Sequence, residues 1–213
     1  QVLPGAAVDV MGLARKMAQS GSNELARGTQ TGRWPADVGR QLEDVQKQFA
    51  LLNQLTAVPA TQTALVVAAS EQADRTLLIA QAVTESIEKM AQAPSARLVN
   101  LAGRQRMLSQ RLAKNYFLSA AKVESKVVHA QLAADAADFR QALQTLKSAP
   151  VSTPAIRSEL ELADSQWLFF DAALRRPADD AGLNAVATTS ERLLGVMDKL
   201  TGLYEAALRE VLG

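Results

Sequence analysis

The sequence predicts an all-α protein made of up-down antiparallel helical bundles. Three observations predict it. Ala, Leu, Gln, Glu, Lys and Arg, the strong helix formers, dominate the 213 residues. The 7 prolines and 11 glycines are scarce and sit where helices should end. No stretch alternates β-branched and aromatic residues as a strand does, and there is no Asn-Gly hairpin turn.

Seven helices follow in order: 6–28, 35–57, 60–92, 94–125, 128–148, 153–176 and 179–212. Pro35 and Pro94 fall near first-turn positions, where a missing N–H costs little. Trp34, just before Pro35, reads as a hydrophobic staple. Pro150 and Pro154 bracket one turn, and Pro177 ends the sixth helix. Asp179 and Asp180 are N-cap candidates for the last helix. The sixth helix carries Ile156, Leu160, Ala163, Trp167, Phe170 and Leu174 at three- and four-residue steps, a core-facing stripe. The seventh repeats the pattern with Leu183, Val186, Leu193, Val196, Leu200, Leu203, Ala207 and Leu208. Long helices with short connections make antiparallel neighbours.

Composition excludes several functions. With no Cys there is no disulfide scaffold, thiolate metal site or cysteine catalysis. His129 is the only histidine, which argues against a His metal cluster or a Ser-His-Asp triad. A net charge of +1 argues against a strongly basic nucleic-acid binder. The basic run Arg104, Arg106, Arg111 and Lys114 is short and lacks interleaved aromatics. Asp135 and Asp138 read as a solvated face, and no acid/base constellation stands out. The expectation is therefore no enzyme, no catalytic residues, no metal and no cofactor. No stretch approaches the ~20 apolar residues of a membrane span. No signal-peptide pattern opens the chain, and the start at Gln1 fits a processed or trimmed N-terminus.

An internal repeat is visible. Val8, Gly12, Arg15 and Gln19 recur with identical spacing as Val99, Gly103, Arg106 and Gln110, and Asp9 stands where Asn100 does. Likewise Val38, Leu42, Glu43, Gln48 and Phe49 match Ile156, Leu160, Glu161, Gln166 and Trp167. The second pair is separated by about one helix and a turn more than the first, so helix 128–148 is the element the first half lacks. Two domains are expected: a three-helix module, 1–93, and a four-helix bundle, 94–213.

On the fourth helix, Leu98, Leu101, Leu108 and Leu112 form a core stripe. Val99, Gly103, Arg106 and Gln110 form a lateral one. A glycine inside a helix costs about 0.5–1 kcal/mol against alanine, which close approach of a helix or ligand would offset. Arg106 can reach back over the space Gly103 leaves. A guanidinium presents fork-like donors that suit a flat oxyanion. If the halves pair about a pseudo-two-fold axis, Arg15 and Arg106 converge and need an anion between them. The plainer alternative is that Gly103 permits packing and Arg106 makes an ordinary surface pair.

The run Leu98-Val-Asn-Leu-Ala-Gly-Arg-Gln-Arg-Met-Leu-Ser-Gln-Arg-Leu-Ala-Lys114 resembles the signature of PilJ-type sensor domains of type IV pilus chemoreceptors. It is also similar to nitrate/nitrite-responsive sensor domains, whose box reads Asn-x-Ala-Gly-x-x-Arg-Met-x-Ser-x-Arg-Leu. Asn100, Ala102, Gly103, Arg106, Met107, Ser109, Arg111 and Leu112 fit that box. The resemblance implies a periplasmic sensor for a small oxyanion such as nitrate or nitrite. Its ligand residues would be Arg106, Arg15, Gly103, Gly12, Gln110, Gln19 and Asn100. It implies tandem PilJ-like modules in a pseudo-dimer, acting as a monomer with internal two-fold or as a dimer, with a signalling or membrane-receptor partner. In those relatives one arginine from each subunit grips the anion. The first half departs from the box: Leu13, Lys16 and Ser20 stand where Arg104, Met107 and Arg111 stand, and Asp9 brings a carboxylate. A competing expectation is a ligand-free helical interaction module of a pilus or chemoreceptor system.

Overall fold

The computed structural model describes residues 23, 25–32, 34–57, 63–123, 125–150 and 153–212. Among them every regular element is an α-helix. After a helical stretch over 25–31 come α1 (Ala36–Ala57), α2 (Thr63–Ala91), α3 (Pro94–Ala120), α4 (Ser125–Lys147), α5 (Pro154–Leu174) and α6 (Asp180–Leu212). The chain divides into two compact units, Gln1–Ile87 and Glu88–Gly213. No helix among the described residues is long and apolar enough to cross a membrane.

The first unit has a narrow core. Val38, Leu42 and Val45 of α1 and Val83 of α2 are buried, with Trp34, Ile79, Ala80 and Ile87 packed around them. Trp34 packs against this cluster, and its indole N–H donates to Gly28 O at 2.9 Å. Gln72 Nε2 on α2 donates to Gln48 O on α1 at 3.1 Å.

The second unit is a four-helix bundle, and its cross-helix pairs give the directions. Going down α3, Tyr116, Gln110 and Arg106 meet Pro177, Ser190 and Asp198, which ascend the chain. Arg111 and Arg104 meet Asp135 and Asp138 in the same reversed order. So α3 is antiparallel to both α4 and α6. The core holds Leu108, Leu112, Phe139, Leu143, Ile156, Leu160, Leu193, Leu200 and Tyr204. Trp167 stacks on Phe139 with centroids 4.3 Å apart and meets Phe170 edge-on at 6.1 Å.

Helix ends follow side-chain chemistry. Pro94 and Pro154 occupy first-turn positions. Thr153 caps α5, its hydroxyl accepting from Ile156 N at 3.2 Å. Asp179 caps α6 by accepting from Gly182 N at 2.8 Å. A Cβ at Gly182 would lie 2.0 Å from Pro177 O, so only glycine fits that approach.

Three expectations need correction. The fourth helix ends at Ala120 rather than at 125. Lys122, at φ 58°, turns the chain, with Val123 N bonded to Leu118 O and Lys122 N to Ser119 O. This is a Schellman stop in which buried Val123 and Leu118 supply the apolar contact. No glycine marks it in the sequence. Leu98 and Leu101 are only partly buried. The buried face of α3 is rotated instead through Ala102, Gln105, Ser109, Leu112 and Tyr116. Asp135 is 2% exposed, not part of a solvated face, because Arg111 neutralises it. Phe169 points outward and is 62% exposed, unlike its neighbours Trp167 and Phe170.

Candidate functional site

The helix α3 carries the motif, and three of its arginines fan out to aspartates. Arg104 Nη2 reaches Asp138 Oδ2 on α4 at 3.1 Å. Arg111 holds Asp135 on α4 with a fork, Nε to Oδ2 at 2.8 Å and Nη2 to Oδ1 at 2.5 Å. Arg106 Nη1 reaches Asp198 Oδ1 on α6 at 2.6 Å. The three arginines of what reads as a basic run in the sequence are therefore dispersed around the helix, each paired with an aspartate.

Arg106 lies at the edge of the α3–α6 pair. Its side chain is 42% exposed and that of Asp198 67%, so the pair is a surface one worth at most about 1 kcal/mol. Asp198 engages Nη1. A Cβ at Gly103 would meet only Arg106 Nη2, at 4.0 Å, so the glycine leaves open space between its backbone and that nitrogen. The glycine thus clears a shelf beside a cation instead of admitting a neighbouring helix of its own bundle. Gln110 sits one turn on, its Nε2 3.5 Å from Ser190 O. Asn100 is drawn the other way, its Nδ2 donating to Glu88 Oε2 at 2.5 Å. The structure therefore groups Gly103, Arg106 and Gln110 along the α6 side of α3 and ties Asn100 to the end of α2. Gly12, Arg15 and Gln19 lie outside the described residues.

Residues 89–193 match the PilJ family model. Its description is the N-terminal region of the type IV pili methyl-accepting chemotaxis transducer. The PilJ match spans just under half of the chain and takes in α3, α4, α5 and the first part of α6. Neither the curated proteins nor the solved structures contain a match to the chain. Within the matched segment, Gly103, Arg106 and Arg111 are the box residues that shape the sides of α3. Gly103 leaves the shelf, Arg106 presents its fork beside it, and Arg111 locks α3 to α4.

Sequence reasoning missed the aspartates. Asp198 and Asp135 are ordinary surface-type positions in the sequence, and only the reversed order of α3 against its neighbours brings them to the arginines. His129 is exposed, with Nε2 3.2 Å from Ser119 Oγ. No group of three or more His, Asp or Glu among the described residues could hold a metal ion. Two phenols are perturbed. Burial, and next the Asp179 carboxylate, push Tyr116 above its ordinary value. Burial alone raises Tyr204. Both are structural: Tyr116 donates to Arg176 O and Pro177 O, and Tyr204 to Leu146 O.

Proposed function

We propose that the chain is a sensory module of the chemotaxis-transducer type, and that its ligand is a small oxyanion such as nitrate or nitrite held at the Gly103–Arg106 shelf of α3. The reading rests on the open space at Gly103, bounded by Arg106 Nη2. A flat anion can take two parallel N–H donors there, which are stronger than neutral hydrogen bonds. Asp198 opposes it by charge, so binding requires the anion to compete with that exposed, weakly held carboxylate. The PilJ match supports a role in signalling. On this reading the module works on the periplasmic side of a membrane receptor. Modules 1–93 and 94–213, or two copies of the chain, would pair so that a second arginine closes the site. Arg15 with Gly12 and Gln19 is our candidate for that second half.

Calorimetric titration of nitrate and nitrite into the full chain tests this. Saturable heat is expected for wild type. It should be lost in Arg106→Ala, which removes the fork, and in Gly103→Leu, which fills the shelf while keeping the arginine. Equal binding in all three would remove the shelf from the site. Equal binding in Arg15→Ala would remove the first half. Exposed Leu162, Leu168 and Phe169 on α5 favour a second reading, a ligand-free module that docks a signalling or receptor partner through its helical faces. Absence of heat with nitrate, nitrite, sulfate and chloride alike would select it.

A further inference from the structure

Gln105 presents a problem that the Arg106 shelf does not solve. Its side chain is fully buried. Nε2 donates to Leu101 O at 3.3 Å, while Oε1 accepts nothing. A buried acceptor left without a donor costs about 1–3 kcal/mol, so a site that retains one invites a partner. Gln105 lines a groove between α3 and α4, with a cavity of about 210 Å³. That is roughly seven times the ~30 Å³ share of one liquid water, too large for a single bridging molecule. It is also below the roughly 300–1,000 Å³ of drug-sized sites, so its occupant is small.

The walls define the chemistry of that occupant. Arg97 and Arg104 stand on the α3 side, and Asp138, Gln141 and Thr145 on the α4 side. The Asp138 contact holds Arg104 in place. Arg97 is exposed and forms no ion pair among the described residues. Two guanidinium groups call for an anionic group with planar oxygens. The orphan Oε1 and the Asp138 carboxylate call for a donor, and a charged donor best matches the carboxylate.

We propose that this groove is a second ligand site, separate from the Arg106 shelf, and that it binds a small free α-amino acid. The carboxylate lies toward Arg97 and Arg104, and the ammonium lies toward Gln105 Oε1 and Asp138. The proposal is independent of oxyanion binding on the α6 side.

The test is calorimetry on the full chain with L-alanine and L-serine, against acetate, ethylamine and lactate. The amino acids should give saturable heat and raise the melting temperature. Acetate and ethylamine each lack one group and should bind at least about tenfold more weakly, as should lactate, which lacks the charged donor. Arg97→Ala and Gln105→Met should each weaken L-alanine binding by at least about tenfold, with Arg106→Ala unchanged. Gln105→Met removes the orphan acceptor, so the ligand-free protein should melt no lower than wild type. Arg97→Ala alters an exposed side chain, and it decides the matter if Gln105→Met fails to fold. The proposal is overturned by absence of heat with both amino acids at tens of millimolar. Acetate or lactate binding as well as L-alanine would overturn it too, as would Arg97→Ala binding like wild type.

Discussion

Removing the Asp135 carboxylate should strand a cation inside the second bundle. Asp135 is 4% exposed at its side chain and Arg111 18%, and two charge-assisted bonds join them. Breaking one partner of a buried pair costs about 3–5 kcal/mol, most of it for the charge left behind. Arg111 keeps almost a fifth of its surface in water and can lean outward. The loss for Asp135→Ala should therefore lie near the low end, about 3 kcal/mol. Replacing both residues with apolar ones of similar size, Arg111→Met with Asp135→Leu, removes the stranded charge and should leave stability within about 1 kcal/mol of wild type. The two tryptophans make the assay clean. In a Trp34→Phe background, fluorescence during urea unfolding reports Trp167, in the second bundle alone. A loss under about 1 kcal/mol for Asp135→Ala would show that water screens the pair. A double variant as unstable as the sum of the singles would show that packing, not charge, is what matters there.

Other outcomes follow from burial and backbone geometry. Leu108→Ala should cost about 2–5 kcal/mol and Leu101→Ala clearly less, because only Leu108 is fully buried; urea unfolding ranks them, and equal losses would refute the rotated core face. Gly182→Ala should destabilise by roughly 1–3 kcal/mol as its Cβ meets Pro177 O. Gly195→Ala, with open space around it, should instead stabilise the isolated chain by up to about 1 kcal/mol, read in the same melts. Alkali should destabilise the second bundle. The folded state holds both phenols above 10.0, so the stability they contribute is whole below that pH and is lost as pH rises through the folded values. Tyr204→Phe should flatten the stability–pH curve above pH 10, and a curve that keeps its full slope would exclude that phenol as the cause.

The helical class was legible because propensity and period agree along nearly every element, and α5 and α6 display their buried faces openly. The stripe through Ile156, Leu160, Ala163, Trp167 and Phe170 is buried as the spacing requires. In the first unit Val38 and Leu42 are buried, like Ile156 and Leu160, while Phe49 is only partly buried where Trp167 lies in the core. The motif helix was harder. Its leucines suggest one face, but small and polar residues pack closer to the bundle axis, so Gln105 and Ser109 displace Leu101 from the centre. The end of α3 was hidden because a lysine adopts the left-handed turn usually left to glycine. Of the site, Gly103 and Arg106 were readable from their spacing. Asp198 was not, since a contact between residues so far apart in sequence depends on how two helices align.

The arginine fan on α3 has a mechanical consequence. Its three ion pairs fix the helix against two neighbours at once, Arg104 and Arg111 on α4 and Arg106 on α6. Sliding α3 by one turn, about 5.4 Å, would break all three together, the buried Arg111–Asp135 pair at the greatest cost. A push at one end should instead travel the length of the rod. With 27 residues at about 1.5 Å each, α3 would carry a displacement from the Pro94 end to the Ala120 end, about 40 Å away, with its lateral register held by the buried Arg111–Asp135 clasp.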